Sequence, residues 1–171
     1  IMVNKGTGIA SVSGAGTYYY GATVNLGYSL IAGYHFSSWT GTYSISSFTM
    51  PAGNVTMTAN GAGNVYYIAY NGNGATSGSM GTTTCTYGQN CTLTGLGYGR
   101  TGYHFNNWNG SNGGSYSNGQ TVKNLTTTNG ATITMYVNWG ANIYYITYNG
   151  NGATSGSMGT TTCTYGQNCT L

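Results

Sequence analysis

In the stretch ATITMYVNW, apolar residues return at every second position, so Ile133, Met135, Val137 and Trp139 share one face. The same period groups Tyr66, Ile68 and Tyr70 in VYYIAY, and Tyr103 and Phe105 in GYHF. Successive side chains of a strand point to opposite faces, so alternation of this kind predicts strands covered on one side. Clusters of Gly and Asn, such as NGNGATSGSMG and NGSNGGSYSNG, separate the runs and supply turn positions with positive φ. No segment carries an apolar stripe of helical period. The pattern predicts a mainly β chain.

The pattern also recurs. NVYYIAYNGNGATSGSMGTTTCTYGQNCTL, starting at Asn64, returns at Asn142, 78 residues on, with changes only from Val65 to Ile143 and from Ala69 to Thr147. A looser copy precedes it. YYYGATVNL at Tyr18 to Leu26 corresponds to TYGQNCTL, GYHFSSW at Gly33 to Trp39 to GYHFNNW at Gly102 to Trp108, and GNVTMTAN at Gly53 to Asn60 to GATITMYVN at Gly130 to Asn138. Three modules are therefore expected: a divergent one at 1–63, a complete one at 64–140 and the opening part of another at 141–171. The strands that this last part lacks are expected from continuation of the chain past Leu171 or, as the second choice, from an adjacent subunit in a filament that adds its own strands.

Composition narrows the function. The 171 residues include 31 Gly and 18 Tyr, but only 2% are charged, against roughly 25% in an average soluble domain. Neither Asp nor Glu occurs. Paired carboxylates, hard-cation cages and most hydrolytic mechanisms are then beyond the side chains present, which argues against an enzyme. Lys5, Arg100 and Lys123 are scattered singly, so the net charge of +3 reflects missing acids, and no basic patch for nucleic acid is expected. No apolar run reaches the length of about 18 residues that suggests a membrane span, and no charged-then-apolar leader opens the chain.

In CTYGQNC, a turn centred on Gly88 would set Cys85 opposite Cys91 across two antiparallel strands, close enough for a disulfide. The repeated phrase pairs Cys163 with Cys169 in the same way. Four cysteines allow three connectivities, and two identical local pairs in two copies favour the local one. The competing metal reading has two cysteines and at most one histidine per module, short of a four-ligand site; reduced, inert thiols are the other alternative. No metal or other cofactor is expected. Bridges would place the chain in an oxidising compartment outside the cytosol, where modules too small for a large core gain from a staple.

His35 and His104 occupy equivalent places between aromatic residues that face the other way, and they read as solvent-facing. Tyr34, Phe36, Trp39, Tyr103, Phe105, Trp108 and Trp139 read as core anchors, because a small sheet needs bulky side chains to bury. Many of the remaining tyrosines must lie on the surface.

The phrase order running from the Asn-Gly turn through TYGQNCTL, RTGYHFNNW, SYSNGQTVKNL and ITMYVNW resembles one unit of the Listeria-Bacteroides repeat, also called the internalin B-repeat family. Tyr87, Gly88, Arg100, Gly102, Tyr103, Phe105, Trp108, Tyr116, Gly119, Val122 and Trp139 carry the resemblance over residues 64–139. Residues 1–60 resemble the divergent repeat often found beside it. Asn71 and Asn118 stand where the family frequently has Asp, and Asn107 replaces the usual Gly before Trp108. The resemblance implies tandem small β-grasp-like, ubiquitin-like modules in an extended array on secreted or cell-surface bacterial proteins. It implies stalks, spacers, filament segments or adhesins without catalytic residues. Expected partners are neighbouring repeats of the chain, adjacent subunits of a filament, and a host surface or glycan. The alternative from another class is a carbohydrate- or host-receptor-binding module that uses exposed Tyr and Trp faces.

Overall fold

The computed structural model describes all 171 residues and contains strands and turns without a helix. Residues 1–63 form β1 (Met2–Lys5), β2 (Ile9–Ser13), β3 (Thr23–Asn25), β4 (Gly27–Leu30), β5 (Tyr34–Gly41), β6 (Ser47–Thr49) and β7 (Thr56–Gly63). The next stretch forms β8 (Val65–Asn71), β9 (Ser77–Gly78), β10 (Thr83–Thr86), β11 (Cys91–Thr92), β12 (Tyr98–Gly99), β13 (Tyr103–Gly110), β14 (Ser115–Tyr116), β15 (Thr121–Val122) and β16 (Thr132–Ala141). β17 (Ile143–Ile146) and β18 (Thr161–Thr164) complete the set. The largest sheet has the order β10-β8-β16-β13-β14.

By compactness the chain divides into two units, and each draws on more than one sequence repeat. The first comprises Ile1–Ile68, Thr83–Thr92 and Thr121–Ile133. In it β7 lies between β1, to which it is parallel, and β5, to which it is antiparallel. The alternating inward residues Val55, Met57 and Ala59 meet Ile9, Val24, Leu26, Trp39, Phe48 and Met50 in one cluster.

Strict alternation along β5 would send Trp39, three residues after Phe36, to the opposite face. A bulge between Phe36 and Ser38 corrects this. Phe36 lies opposite Gly61 and Trp39 opposite Ala59, two positions apart on β7, so both rings reach the same side. Small residues across the ladder leave room for them. Tyr28 then stacks on Phe36 at 4.2 Å between ring centroids.

The second unit comprises Ala69–Thr82, Leu93–Gln120 and Thr134–Leu171. β13 carries the same bulge, between Phe105 and Asn107, which puts Phe105 opposite Trp139 and Trp108 opposite Val137. Trp108 is fully buried, with Tyr70 and Phe105 edge-on to it at 5.2 and 5.3 Å. The period-two face of β16 is buried at Met135 and Val137, while Trp139 is half-buried and donates its indole N–H to the Gly72 carbonyl at 2.8 Å.

The geometry expected for the cysteines needs correction. Cys85 and Cys91 are bridged, with Cα atoms 5.6 Å apart, but they are not opposite each other across one hairpin. Cys85 pairs across the ladder with Tyr66 of β8, and Cys91 with Val122 of β15. Both cysteine strands find longer-range partners, so their backbone groups are satisfied elsewhere and the bridge ties two sheets together through a tight turn. Cys163 and Cys169 are also bridged, Cα atoms 5.5 Å apart, with Cys163 opposite Tyr144 of β17.

Candidate functional site

The turn inside the cysteine ring projects a tyrosine. Gly88 has φ +85°, a conformation that glycine takes without steric cost, and the Gln89 amide closes the turn on the Thr86 carbonyl at 3.1 Å. Asn124 Oδ1 accepts the Gly88 N–H at 2.6 Å. Tyr87 is thereby held edge-on to Tyr34, ring centroids 5.4 Å apart, over Gly33. Gly33 has φ +89°, and a Cβ there would lie 2.5 Å from the Tyr87 ring, so only glycine fits this seat.

Asn64, the residue linking β7 to β8, secures the seat with four hydrogen bonds. Its N–H donates to the Gly33 carbonyl and its carbonyl accepts the Tyr87 N–H, both at 2.8 Å. Its side-chain Nδ2 donates to the Thr127 carbonyl at 2.8 Å. That leaves Oδ1 as the acceptor for His35 Nδ1 at 3.0 Å, so this ring nitrogen carries the hydrogen. Asn64 is 8% exposed, and its side-chain oxygen and nitrogen each have a partner, as buried polar groups require.

The same arrangement occurs a second time. Asn142 donates its N–H to the Gly102 carbonyl at 2.9 Å and accepts the Tyr165 N–H at 2.8 Å. His104 Nδ1 meets Asn142 Oδ1 at 2.9 Å, and Tyr165 lies edge-on to Tyr103 at 5.6 Å. Gly102 has φ +78°, and a Cβ there would overlap the Tyr165 ring. Arg100 adds a contact without counterpart at the first junction, its guanidinium 4.0 Å above the Tyr103 ring.

The divergent InlB B-repeat domain profile matches the chain twice, over residues 1–62 and 66–141. The chain belongs to the divergent InlB B-repeat family. No curated protein and no solved structure matches it.

Each aromatic corner thus lies within one matched B-repeat, and the tyrosine that sits on it comes from the sequence that follows. Of the residues expected as anchors, Trp39 and Trp108 are buried, while Phe36, Phe105 and Trp139 are half-buried beside them or elsewhere in the sheets. Tyr34 and Tyr103 are half-buried and face the junctions. His35 and His104 are exposed, yet each is bonded to an asparagine just beyond its matched repeat, Asn64 and Asn142. The sequence reading did not single out Asn64, Asn142, Tyr87 or Tyr165 as a junction. The available signal was the recurrence of Gly-Tyr-His together with Asn-x-Tyr-Tyr-Ile and Thr-Tyr-Gly.

No group of three or more His, Cys, Asp or Glu could hold a metal ion. An open groove of about 520 Å³ is lined by Trp39 to Ile45, with Trp39 itself 4% exposed. The largest aromatic exposure is at Tyr19 and Tyr20, 92% and 79%.

Proposed function

We propose that this B-repeat chain is a non-enzymatic bacterial repeat protein of the extracellular surface, acting as a stalk, spacer or filament and adhesin segment. Its modules would be 1–63, 64–140 and the beginning of another at 141–171, each of small β-grasp-like type. The parallel contact between the first and last strands of the first repeat, with β5 beyond, favours that fold. The two bridges suit an oxidising compartment.

One observation carries this reading: the same corner, asparagine and tyrosine build the same junction twice. A contact that recurs from repeat to next repeat is what an array requires, since each unit then leans only on its neighbours. Neighbouring repeats, and in a filament adjacent subunits, are the partners this reading names. The test inserts further copies of residues 64–141 after Ala141 and measures the longest dimension by small-angle X-ray scattering. A constant gain for each inserted copy is expected, and a dimension that stays unchanged would defeat the spacer reading.

The second reading is recognition of a glycan or host surface. Tyr19 and Tyr20 favour it as exposed, adjacent rings, whereas Trp39 and Trp108 are buried and offer no stacking face. Saturable glycan binding lost in Y19A/Y20A would support it; an array without any binding would remove it.

A further inference from the structure

The three repeats contain three copies of one turn, and they differ in a telling way. Tyr20-Gly21, Tyr87-Gly88 and Tyr165-Gly166 share the glycine conformation, φ +80°, +85° and +74°. They also share the closing hydrogen bond, from Ala22 to Tyr19, Gln89 to Thr86 and Gln167 to Thr164, each at 3.1 Å. The first turn has Tyr18 and Val24 where the others have cysteines, so its shape forms without a bridge. Its Tyr20 is exposed, and a Cβ on Gly21 would meet nothing within 4 Å. The two bridged turns each bear on the Gly-Tyr corner of the repeat before them.

We propose that the cysteine bridge is a coupling device between repeats: it anchors the tyrosine-bearing turn to its own repeat so that the turn holds the preceding one, and thiol reduction uncouples the two. The first turn is held within its own repeat by the Gly21 N–H, which donates to the Met50 carbonyl at 3.0 Å. A turn whose ring must stay on another module's corner loses that contact whenever its own base shifts. Cys85 sits on the edge strand β10 and Cys91 on the two-residue strand β11, so the bridge fastens the base at both ends. Opening it with a dithiol transfers two electrons and two protons to the cysteine pair, giving two thiols, while the reductant closes into its own cyclic disulfide. The turn keeps its local hydrogen bond and the repeat its core, but Tyr87 is no longer clamped over Gly33.

This deepens the spacer reading and rests on it, but the experiment observes the junction itself, so its failure leaves the spacer reading standing. Amide hydrogen exchange is followed in the full chain for Asn64, whose N–H crosses to Gly33, and for Met57 and Ala59 in the first-repeat core. In C85S/C91S, and in the reduced native chain, exchange at Asn64 should rise about tenfold or more through local opening, with Met57 and Ala59 unchanged. Y87S, with its bridge intact, should reproduce the Asn64 effect. Unchanged Asn64 protection in either variant overturns the proposal. So does loss of protection throughout residues 64–141 in C85S/C91S, because the bridge would then be a folding staple of its own repeat.

Discussion

Residues 64–93 and 142–171 are nearly one sequence in two surroundings. The hairpin register is the same in both: Cys85 opposes Tyr66 and Cys163 opposes Tyr144, with the neighbouring pairs in step. Both copies form the bridge, and both seat their tyrosine on a Gly-Tyr corner. Burial is where they part. Tyr66 is fully buried and Tyr144 is 45% exposed; Met80 is half-buried and Met158 is 68% exposed. The second repeat forms β9 with β12 and β11 with β15, while the later copy has no such strands. Local sequence suffices for the hairpin and the bridge, and the tyrosine takes its seat on the Gly-Tyr corner that precedes each copy. Short strands such as β9 and β11 exist only where a distant segment supplies the ladder, and this is why burial cannot be assigned from the phrase itself.

The sharpest way to break the comparison is to make one substitution in both copies. Tyr66→Ala should cost about 3 to 5 kcal/mol through the cavity it opens, whereas Tyr144→Ala should stay within about 0.5 kcal/mol, as exposed substitutions do. Urea unfolding followed by tryptophan fluorescence checks both, and equal costs would mean that Tyr144 is covered. The bridges come next. Closing so short a loop contributes about 2 kcal/mol on chain-entropy grounds, so C85S/C91S should lower the free energy of opening the first junction by up to that amount, read at the Asn64 amide, with the first-repeat core unchanged. Cys85 and Cys91 are both buried, while Cys169 is half-buried, so limiting dithiol should open Cys163–Cys169 first. Mass mapping of alkylated peptides reads that order.

Much of this was legible before the fold was known. Alternation named the buried faces of β8 and β16, because one-sided strands leave that imprint, and the glycine and asparagine clusters marked the turns. The bridge pairing also followed from the repeated phrase, but its geometry did not: Tyr66 and Val122, not the other cysteine, are the ladder partners. Sequence alone does not reveal which distant strand claims an edge. The bulges after Phe36 and Phe105 were equally hidden, since an inserted residue leaves composition and motif untouched while it changes the face that Trp39 and Trp108 meet. The junction was missed for a related reason. Each of its parts, a glycine, a histidine, an asparagine and a tyrosine, reads singly as turn or surface, and only their convergence gives them a role.

The junctions themselves can be set against each other. Gly33→Ala should cost about 1 to 2 kcal/mol for an L-residue at positive φ, and its methyl should displace the Tyr87 ring. Faster exchange at the Asn64 amide is the readout; an unmoved amide would show that the ring yields without opening the seat.

The smallest expected effect concerns Arg100, a contact that the second junction has and the first lacks. Ile31 holds the corresponding place before Gly33, and both corners close alike, Tyr34 donating to the Ile31 carbonyl at 3.1 Å and Tyr103 to the Arg100 carbonyl at 3.0 Å. The backbone therefore does not need the arginine. Its guanidinium lies over the Tyr103 ring whose edge-on partner is Tyr165, and such a contact contributes about 0.5 to 1 kcal/mol at a partly exposed site. Arg100→Ala should loosen the second junction by that much, read as a two- to fivefold rise, roughly, in Asn142 amide exchange, with Asn64 unaffected. Arg100→Ile, which copies the first junction, separates charge from bulk. If it restores the native exchange rate, apolar cover of the ring is what matters; if it behaves as alanine does, the cation holds the tyrosine.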